Sequence, residues 1–265
     1  MAWRIVQWAC GMLAVLWSFG ASAARGDAPV IVAAADLQFA MEEIAAGFTA
    51  ETRREVKLTF GSSGNFARQI EQGAPFQMFL SADEDFIFRL VGLGKTMDRG
   101  QMYAVGRIVL MVPNGSPLAA DPTLGDLATA LGDGRLKKFA IANPEHAPYG
   151  RRAEEALRTA GLWERIKARL VLGENVAQAA QFATAGGAQG GIIAYSLARS
   201  PIVARLGALA LISDAWHAPL RQRMVLLKGA GPTAQAFYRY VGQPLARAVL
   251  VRYGFVLPGD LSAGR

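Results

Sequence analysis

Reactive side chains are scarce in this 265-residue chain, which has one cysteine, Cys10, and two histidines, His146 and His217. So small a set excludes zinc ligation at the usual Cys/His spacings. No serine lies in a Gly-x-Ser-x-Gly elbow, and no acidic run has calcium-loop spacing. Gly94-Lys95-Thr96 imitates the end of a phosphate-binding P-loop, but the earlier glycine that motif needs is Arg89. Gly186-Gly187 and Gly190-Gly191 precede a strand instead of following one, the wrong order for a dinucleotide fingerprint. Glu42-Glu43 and Glu154-Glu155 read as solvated helix faces, and each histidine as a surface or structural residue. The expectation is a binding protein without a cofactor, not an enzyme.

A basic cluster is also missing. The 28 Lys and Arg residues outnumber 21 Asp and Glu, giving a formal charge of +7. They are scattered in ones and twos, as at Arg53-Arg54, Lys137-Lys138, Arg151-Arg152 and Arg221 with Arg223. Without a basic helix face or an aromatic ladder, nucleic acid is not the expected partner. A diffuse positive surface is compatible with capturing small anions.

Long apolar runs are confined to the beginning. Met1-Ala2-Trp3-Arg4 gives a short positive start, residues 5–19 are almost wholly apolar, and Ala21-Ser22-Ala23 supplies small residues for cleavage. Residues 1–24 are therefore expected to be a signal peptide and the mature chain to be periplasmic; a retained N-terminal anchor is the alternative. Cys10 lies inside this segment, too early for a lipid-attachment cysteine, so the mature chain is expected to have no thiol. The leader carries one basic residue, Arg4, which leaves 27 against 21 acids, a net of +6.

The remainder, about 240 residues, fits one large domain or two ordinary lobes. Its periodicity alternates strand and helix. Val30–Ala34 reads as a buried strand, followed by helical spacing from Asp36 to Thr49 with Leu37, Ala40, Met41, Ile44, Ala45 and Phe48 on one face. Further strands are expected at 56–60, 77–81, 102–112, 139–142, 170–172, 191–194 and 224–227. Helices are expected at 65–72 and 84–93, from near Pro148, Leu162, Asn175 and Ser196, and as a broken pair over 233–253. Alternation of this kind predicts mostly parallel sheets flanked by helices. Extended crossings near 103–112 and 219–228 would join two lobes with a cleft between them.

Four strand-to-helix turns share a polar character. Gly61-Ser62-Ser63-Gly64-Asn65 is the richest, since a short polar turn that opens a helix directs backbone N–H groups and a hydroxyl at one spot. Ala35-Asp36 opens the first helix, Pro148-Tyr149 stands at the first turn of another, and Asn175 caps a helix whose Val176 amide is left unpaired. One such turn alone reads as ordinary capping; four in one two-lobed chain point to an oxyanion cleft.

Over essentially its whole mature length the chain resembles the periplasmic molybdate-binding proteins of ABC importers. The resemblance is carried by VAAADLQFAMEEIAAGF at 32–48, TFGSSGNFARQIEQGAPFQMFLSAD at 59–83 and YAVGRIVLMVP at 103–113. It continues in IANPEHAPYGRRAEEAL at 141–157, LVLGENVAQAAQF at 170–182 and VRYGF at 251–255. It implies a two-lobed α/β periplasmic binding protein of type II, with residues 25–106 and 222–265 in one lobe and 107–221 in the other. It also implies molybdate or tungstate as ligand, an ABC permease with its ATPase as partner, and a monomer. By position it places the anion contacts on Asp36, Ser63, Tyr149 and the Val176 amide, with Ala35 added in some relatives. Other relatives use a tyrosine at the position of Ala194; here Tyr195 comes one step later.

Asp36 departs from that pattern, where the family usually has Ser or Asn. An ionised carboxylate can only accept, and at ~4 Å with an effective dielectric of ~20 each unit of like charge costs about 4 kcal/mol. Two resolutions are open. The favoured one turns Asp36 away as the cap of its own helix. The other has it accept from an anion that carries a proton, such as phosphate.

Overall fold

The computed structural model describes residues 28–259, so the expected signal peptide, residues 1–24, lies outside the described residues. The strands are β1 Val30–Ala34, β2 Lys57–Gly61, β3 Met78–Ser81, β4 Gln101–Gly106, β5 Ile108–Pro113, β6 Phe139–Ala142, β7 Leu170–Gly173, β8 Gly191–Ala194, β9 Gly207–Leu211 and β10 Leu220–Leu226. The helices are α1 Gln38–Thr52, α2 Ser63–Glu71, α3 Glu84–Gly92, α4 Gly125–Asp133, α5 Pro148–Thr159, α6 Trp163–Ile166, α7 Val176–Thr184, α8 Tyr195–Ala198, α9 Pro201–Ala204, α10 Pro232–Val241 and α11 Pro244–Arg252.

One five-stranded sheet has the order β2-β1-β3-β10-β4 and the other β7-β6-β8-β5-β9. Each defines an α/β lobe. The expected extended run over 102–112 divides at Arg107 into β4 of the first sheet and β5 of the second. On the return, Leu220 and Arg221 already pair with Gly106 and Val105, two residues ahead of the expected boundary at 222.

The sheets are mixed, not mostly parallel. β1 runs parallel to β2 and β3, while β10 is antiparallel to β3 and β4. In the second sheet β6 is parallel to β7 and β8, and β5 is antiparallel to β8 and β9. The reason is topological. The chain leaves the first lobe along β4 and re-enters along β10, and these neighbours must run in opposite senses. β5 and β9 stand in the same relation in the second lobe.

Strand β1 shows how the sequence specifies the layers. Its side chains alternate between faces: Ile31 and Ala33 pack with Met41, Ile44 and Phe48 of α1 and Phe237 of α10. Val32 points the other way, into a cluster with Phe66 and Ile70 of α2 and Ile87 and Leu90 of α3. A strand buried on both faces is uniformly apolar for that reason.

Parallel pairing also sets where the turns fall. Ala34 is in register with Gly61, and Ala142 with Gly173, so the carboxyl ends of β1 and β2, and of β6 and β7, finish level. The turns that follow gather along one edge of each sheet, the place where open α/β sheets take ligands. The two edges face each other, and hydrogen bonds cross between them. Ser62 Oγ donates to the His146 carbonyl at 2.6 Å, and the Gly64 amide reaches the same oxygen at 3.0 Å. Ser196 Oγ donates to the Asp36 carbonyl at 2.8 Å. Arg152 of α5 pairs with Asp83, which caps α3, at 3.3 Å.

Phe48 packs edge-on against Phe237 and Tyr240, with centroids 5.2 and 5.4 Å away, and is fully buried. Phe48→Ala is expected to cost about 3–5 kcal/mol in urea unfolding, the range for a truncated core aromatic. A loss below about 1 kcal/mol would show that the α1–α10 seam repacks around the cavity.

Candidate functional site

Between the facing edges lies a small cavity. Ala35, Asp36, Ser63, Tyr149 and Val176 all line it, together with Ser62, Ala147 and Asn175 among others. The structure thus brings the five sequence-predicted positions to one place, three from the first lobe and two from the second. No Lys, Arg or His is in the lining, and Asp36 is its only ionisable carboxylate.

Three helices of nine or more residues start at this cavity: α2, α5 and α7. The first turn of a helix leaves N–H groups without intrahelical partners, and the aligned peptide dipoles make that end positive. At α7, Asn175 Oδ1 accepts from the Ala177 and Gln178 amides at 3.0 Å each, which leaves the Val176 N–H for the cavity. At α5 the first residue is Pro148, with no N–H to satisfy, and no side chain caps the helix. At α2 the preceding Ser62 does not cap either. Its hydroxyl proton goes to the His146 carbonyl, and its oxygen lies 2.9 Å from His146 Nδ1. The ordinary-capping reading of the Ser/Gly turn therefore fails at Ser62.

Ser63 Oγ accepts from the Ala82 amide at 3.0 Å. A hydroxyl that accepts there keeps its own proton free to donate, and Ser63 is buried against the cavity. Tyr149 is arranged differently. Its phenol donates to Asp36 Oδ2 at 2.9 Å, so the proton expected for a ligand is held by a carboxylate.

Asp36 is not a cap. The short 3-10 turn Ala35–Leu37 and helix α1 begin without a side-chain cap. The carboxylate is instead buried at 1% exposure. Oδ2 accepts from Tyr149 and, at 2.6 Å, from Gln222 Nε2, while Oδ1 has no partner. Burial pushes this carboxyl up from 3.8 to about 6; the hydrogen bonds from Gln222, from Tyr149 and, least, from its own backbone N–H oppose the shift without cancelling it.

Gln222 and Tyr103 complete the group and were not expected from the sequence. Gln222 Oε1 accepts from the Tyr103 phenol at 2.6 Å, which turns Nε2 towards Asp36 and, at 3.1 Å, the Tyr149 oxygen. β10 changes register between Gln222 and Arg223, a bulge beside the cavity of the kind that re-aims a side chain. Gly106 makes room: a Cβ there would lie 2.2 Å from the Tyr149 oxygen and 2.8 Å from Gln222 Nε2. Burial and the neighbouring Asp36 hold both the Tyr103 and Tyr149 phenols well above their ordinary range, so both stay protonated donors. The signal for Gln222 was its place between Leu220 and Met224 on the inward face of an apolar strand, where a polar group needs a partner.

Tyr195 does not line the cavity; its ring lies under Arg199. His146 is buried beside Ser62, with Nε2 3.5 Å from Glu174, and His217 is buried with Nδ1 on the Ala218 carbonyl. Neither side chain lines the cavity. No group of acidic, His or Cys side chains with the makings of a cation site occurs among the described residues.

Comparison with known proteins agrees with this architecture. Residues 29–256 match the family of bacterial extracellular solute-binding proteins. The molybdate-binding protein of Rhodobacter capsulatus is 34% identical over 248 residues, covering 92% of this chain and 94% of the relative. That of Azotobacter vinelandii is 35% identical over 240 residues, covering 89% and 93%. The solved Azotobacter vinelandii periplasmic molybdate-binding protein superimposes with a TM-score of 0.78 at 27% identity, over 87% of this chain and 99% of that one. The chain belongs to the bacterial extracellular solute-binding proteins, and along nearly its whole length it is similar to the molybdate-binding members of that family.

Proposed function

We propose that this protein captures molybdate or tungstate in the periplasm, as a monomer, and delivers it to an ABC permease with its ATPase. The observation that carries the reading is the convergence of three helix N-termini from two lobes, with the free Ser63 proton, on a cavity without a cation. Ala35, Asp36, Ser63, Tyr149 and Val176 are the proposed contacts. Val176 and the first turns of α2 and α5 contribute backbone amides, and Ser63 contributes a hydroxyl.

The energetics are adequate. Hydrogen bonds to a charged group are worth about 1.5–3 kcal/mol each, and micromolar affinity needs about 8 kcal/mol. Four or five such donors, fixed in place and shielded from water by lobe closure, meet that requirement after the cost of association. Fixed donors also select by size, since an oxyanion too small for the cavity leaves some of them unpaired.

A second reading is a receptor for an oxyanion carrying its own proton, such as phosphate. It is favoured by Asp36 Oδ1, an unpartnered acceptor in a lining otherwise rich in donors. Calorimetric titration of ligand-stripped protein with molybdate, tungstate, sulfate and phosphate separates the two. One-to-one binding of the first pair alone supports the main reading, and binding of phosphate alone supports the second. Silence with all four would refute both.

Three substitutions test this reading. Ser63→Ala removes a donor to a charged ligand and is expected to weaken binding about 10- to 150-fold with little change in unfolding midpoint. Tyr149→Phe, which leaves Asp36 Oδ2 with Gln222 alone, is expected to weaken binding at least about tenfold. Unchanged affinity in both variants would remove these residues from the site. Gly64→Ala tests closure. A Cβ at Gly64 would lie 2.6 Å from the His146 carbonyl on the opposite lobe, an obstacle that opening relieves. Affinity is expected to fall while the thermal midpoint of the ligand-free protein moves by only a few degrees, about what less than 1 kcal/mol produces.

A further inference from the structure

We propose that the cleft takes its oxyanion together with one proton, held between Asp36 Oδ1 and the anion, so that capture is proton-coupled. This inference rests on the oxyanion reading above and adds to it the protonation state in which the anion is bound.

Asp36 lines the cavity, is almost fully buried, and has its two oxygens in different situations. Oδ2 is saturated by the Tyr149 phenol and the Gln222 amide. Oδ1 has no partner, which is costly for a buried acceptor. Neither donor can turn to serve it. The Tyr103 phenol fixes the orientation of the Gln222 amide, and Gly106 lets Tyr149 and Gln222 pack tightly against each other. An anion in the cavity would bring a second negative charge against this oxygen. One proton removes both problems at once, because it neutralises the like charge and supplies the donor that Oδ1 lacks.

No nearby cation provides another route to neutrality. The groups packed around Asp36 are Tyr149 of α5, Tyr103 of β4, Gln222 of β10 and, on its carbonyl, Ser196 of α8. Ionisable side chains closer to the rim are already engaged with each other: His146 with Glu174, and Arg152 with Asp83 and Glu155. Burial already holds the free carboxyl at about 6. Below that pH the proton is present before the anion arrives; above it, binding must take the proton from solution.

The test is calorimetric titration of the full protein with molybdate at about pH 7 in two buffers of different ionisation enthalpy. The expected result is uptake of close to one proton per anion, shrinking below about pH 6, with affinity falling about tenfold per pH unit above it. Binding of molybdate with no proton uptake would overturn the proposal. Asp36→Asn keeps an acceptor for Tyr149 and Gln222 and offers a permanent N–H in place of the protonated oxygen. It is expected to bind with no uptake and a flat pH profile. Uptake retained in that variant would assign the proton to a group other than Asp36, such as His146, Glu174 or Asp83 at the rim, and would also overturn the proposal. Failure of both proteins to bind any of molybdate, tungstate, sulfate or phosphate would instead sink the receptor reading itself, and this inference with it.

Discussion

The hydrogen bond from the Tyr149 phenol to the Asp36 carboxylate is the constraint around which the cleft is organised. It joins the lobes through two buried side chains, and several otherwise odd residues accommodate it. Gly106 is bare because a side chain there would occupy the space of the Tyr149 oxygen. Gln222 interrupts an apolar strand because Oδ2 takes a second donor, and Tyr103 settles which way that amide points. A buried charge is tolerated only when its hydrogen-bonding capacity is met. Here that capacity is met at one oxygen and left open at the other, and the open one belongs to the cavity lining.

The remaining design avoids charge. A lysine or arginine in the cavity would attract any anion, whereas amides at helix ends point along fixed directions and reward one size and shape. Apart from the Gly64 amide, which the His146 carbonyl takes, these amides are left to the cavity because the usual caps are absent or displaced. Ser62 serves the opposite lobe, Pro148 has no N–H, and Asn175 caps the second and third amides of α7 but not the first. Level carboxyl ends of parallel strands then bring these free ends together. The antiparallel strands β4, β10, β5 and β9 carry the chain between lobes, so the parallel part of each sheet brings the cavity-lining turns together, while β4 and β10 also place Tyr103 and Gln222 behind Asp36.

Much of this was legible in the sequence because it rests on local chemistry. Val30–Ala34 is buried on both faces and could be read as a strand, Pro148 fits only the first turn of a helix, and Asn175 announces its cap. What was illegible depends on distant partners. Asp at the start of a helix has a good local role as a cap, and only the arrival of Tyr149, 113 residues later, gives it another. Sheet direction was misread because alternation of strand and helix is blind to the strands that cross between lobes. β9 is a half-exposed edge strand, Gly207–Leu211, whose weak pattern gave no signal against its neighbours. Gln222 was visible as a polar residue on an apolar face, but its role was not, since its partners come from β4, the turn after β1, and α5.

The closed arrangement carries its own condition. Neutral hydrogen bonds such as those of Ser62, Gly64 and Ser196 contribute about 0.5–1.5 kcal/mol each once water is accounted for. The desolvation of Asp36 acts against them: raising its carboxyl from 3.8 to about 6 corresponds to about 3 kcal/mol, as much as about two to six such bonds. Ionised Asp36 therefore favours an open cleft, in which water reaches Oδ1. Filling the cavity with an anion alone would worsen the imbalance, and protonation alone would leave several helix-end amides without an acceptor. Only both together satisfy the donors and the orphan oxygen in one geometry. On the proton-coupled reading proposed above, lobe closure responds to oxyanion and proton together, and the buried Asp36 carboxyl is the group that couples them.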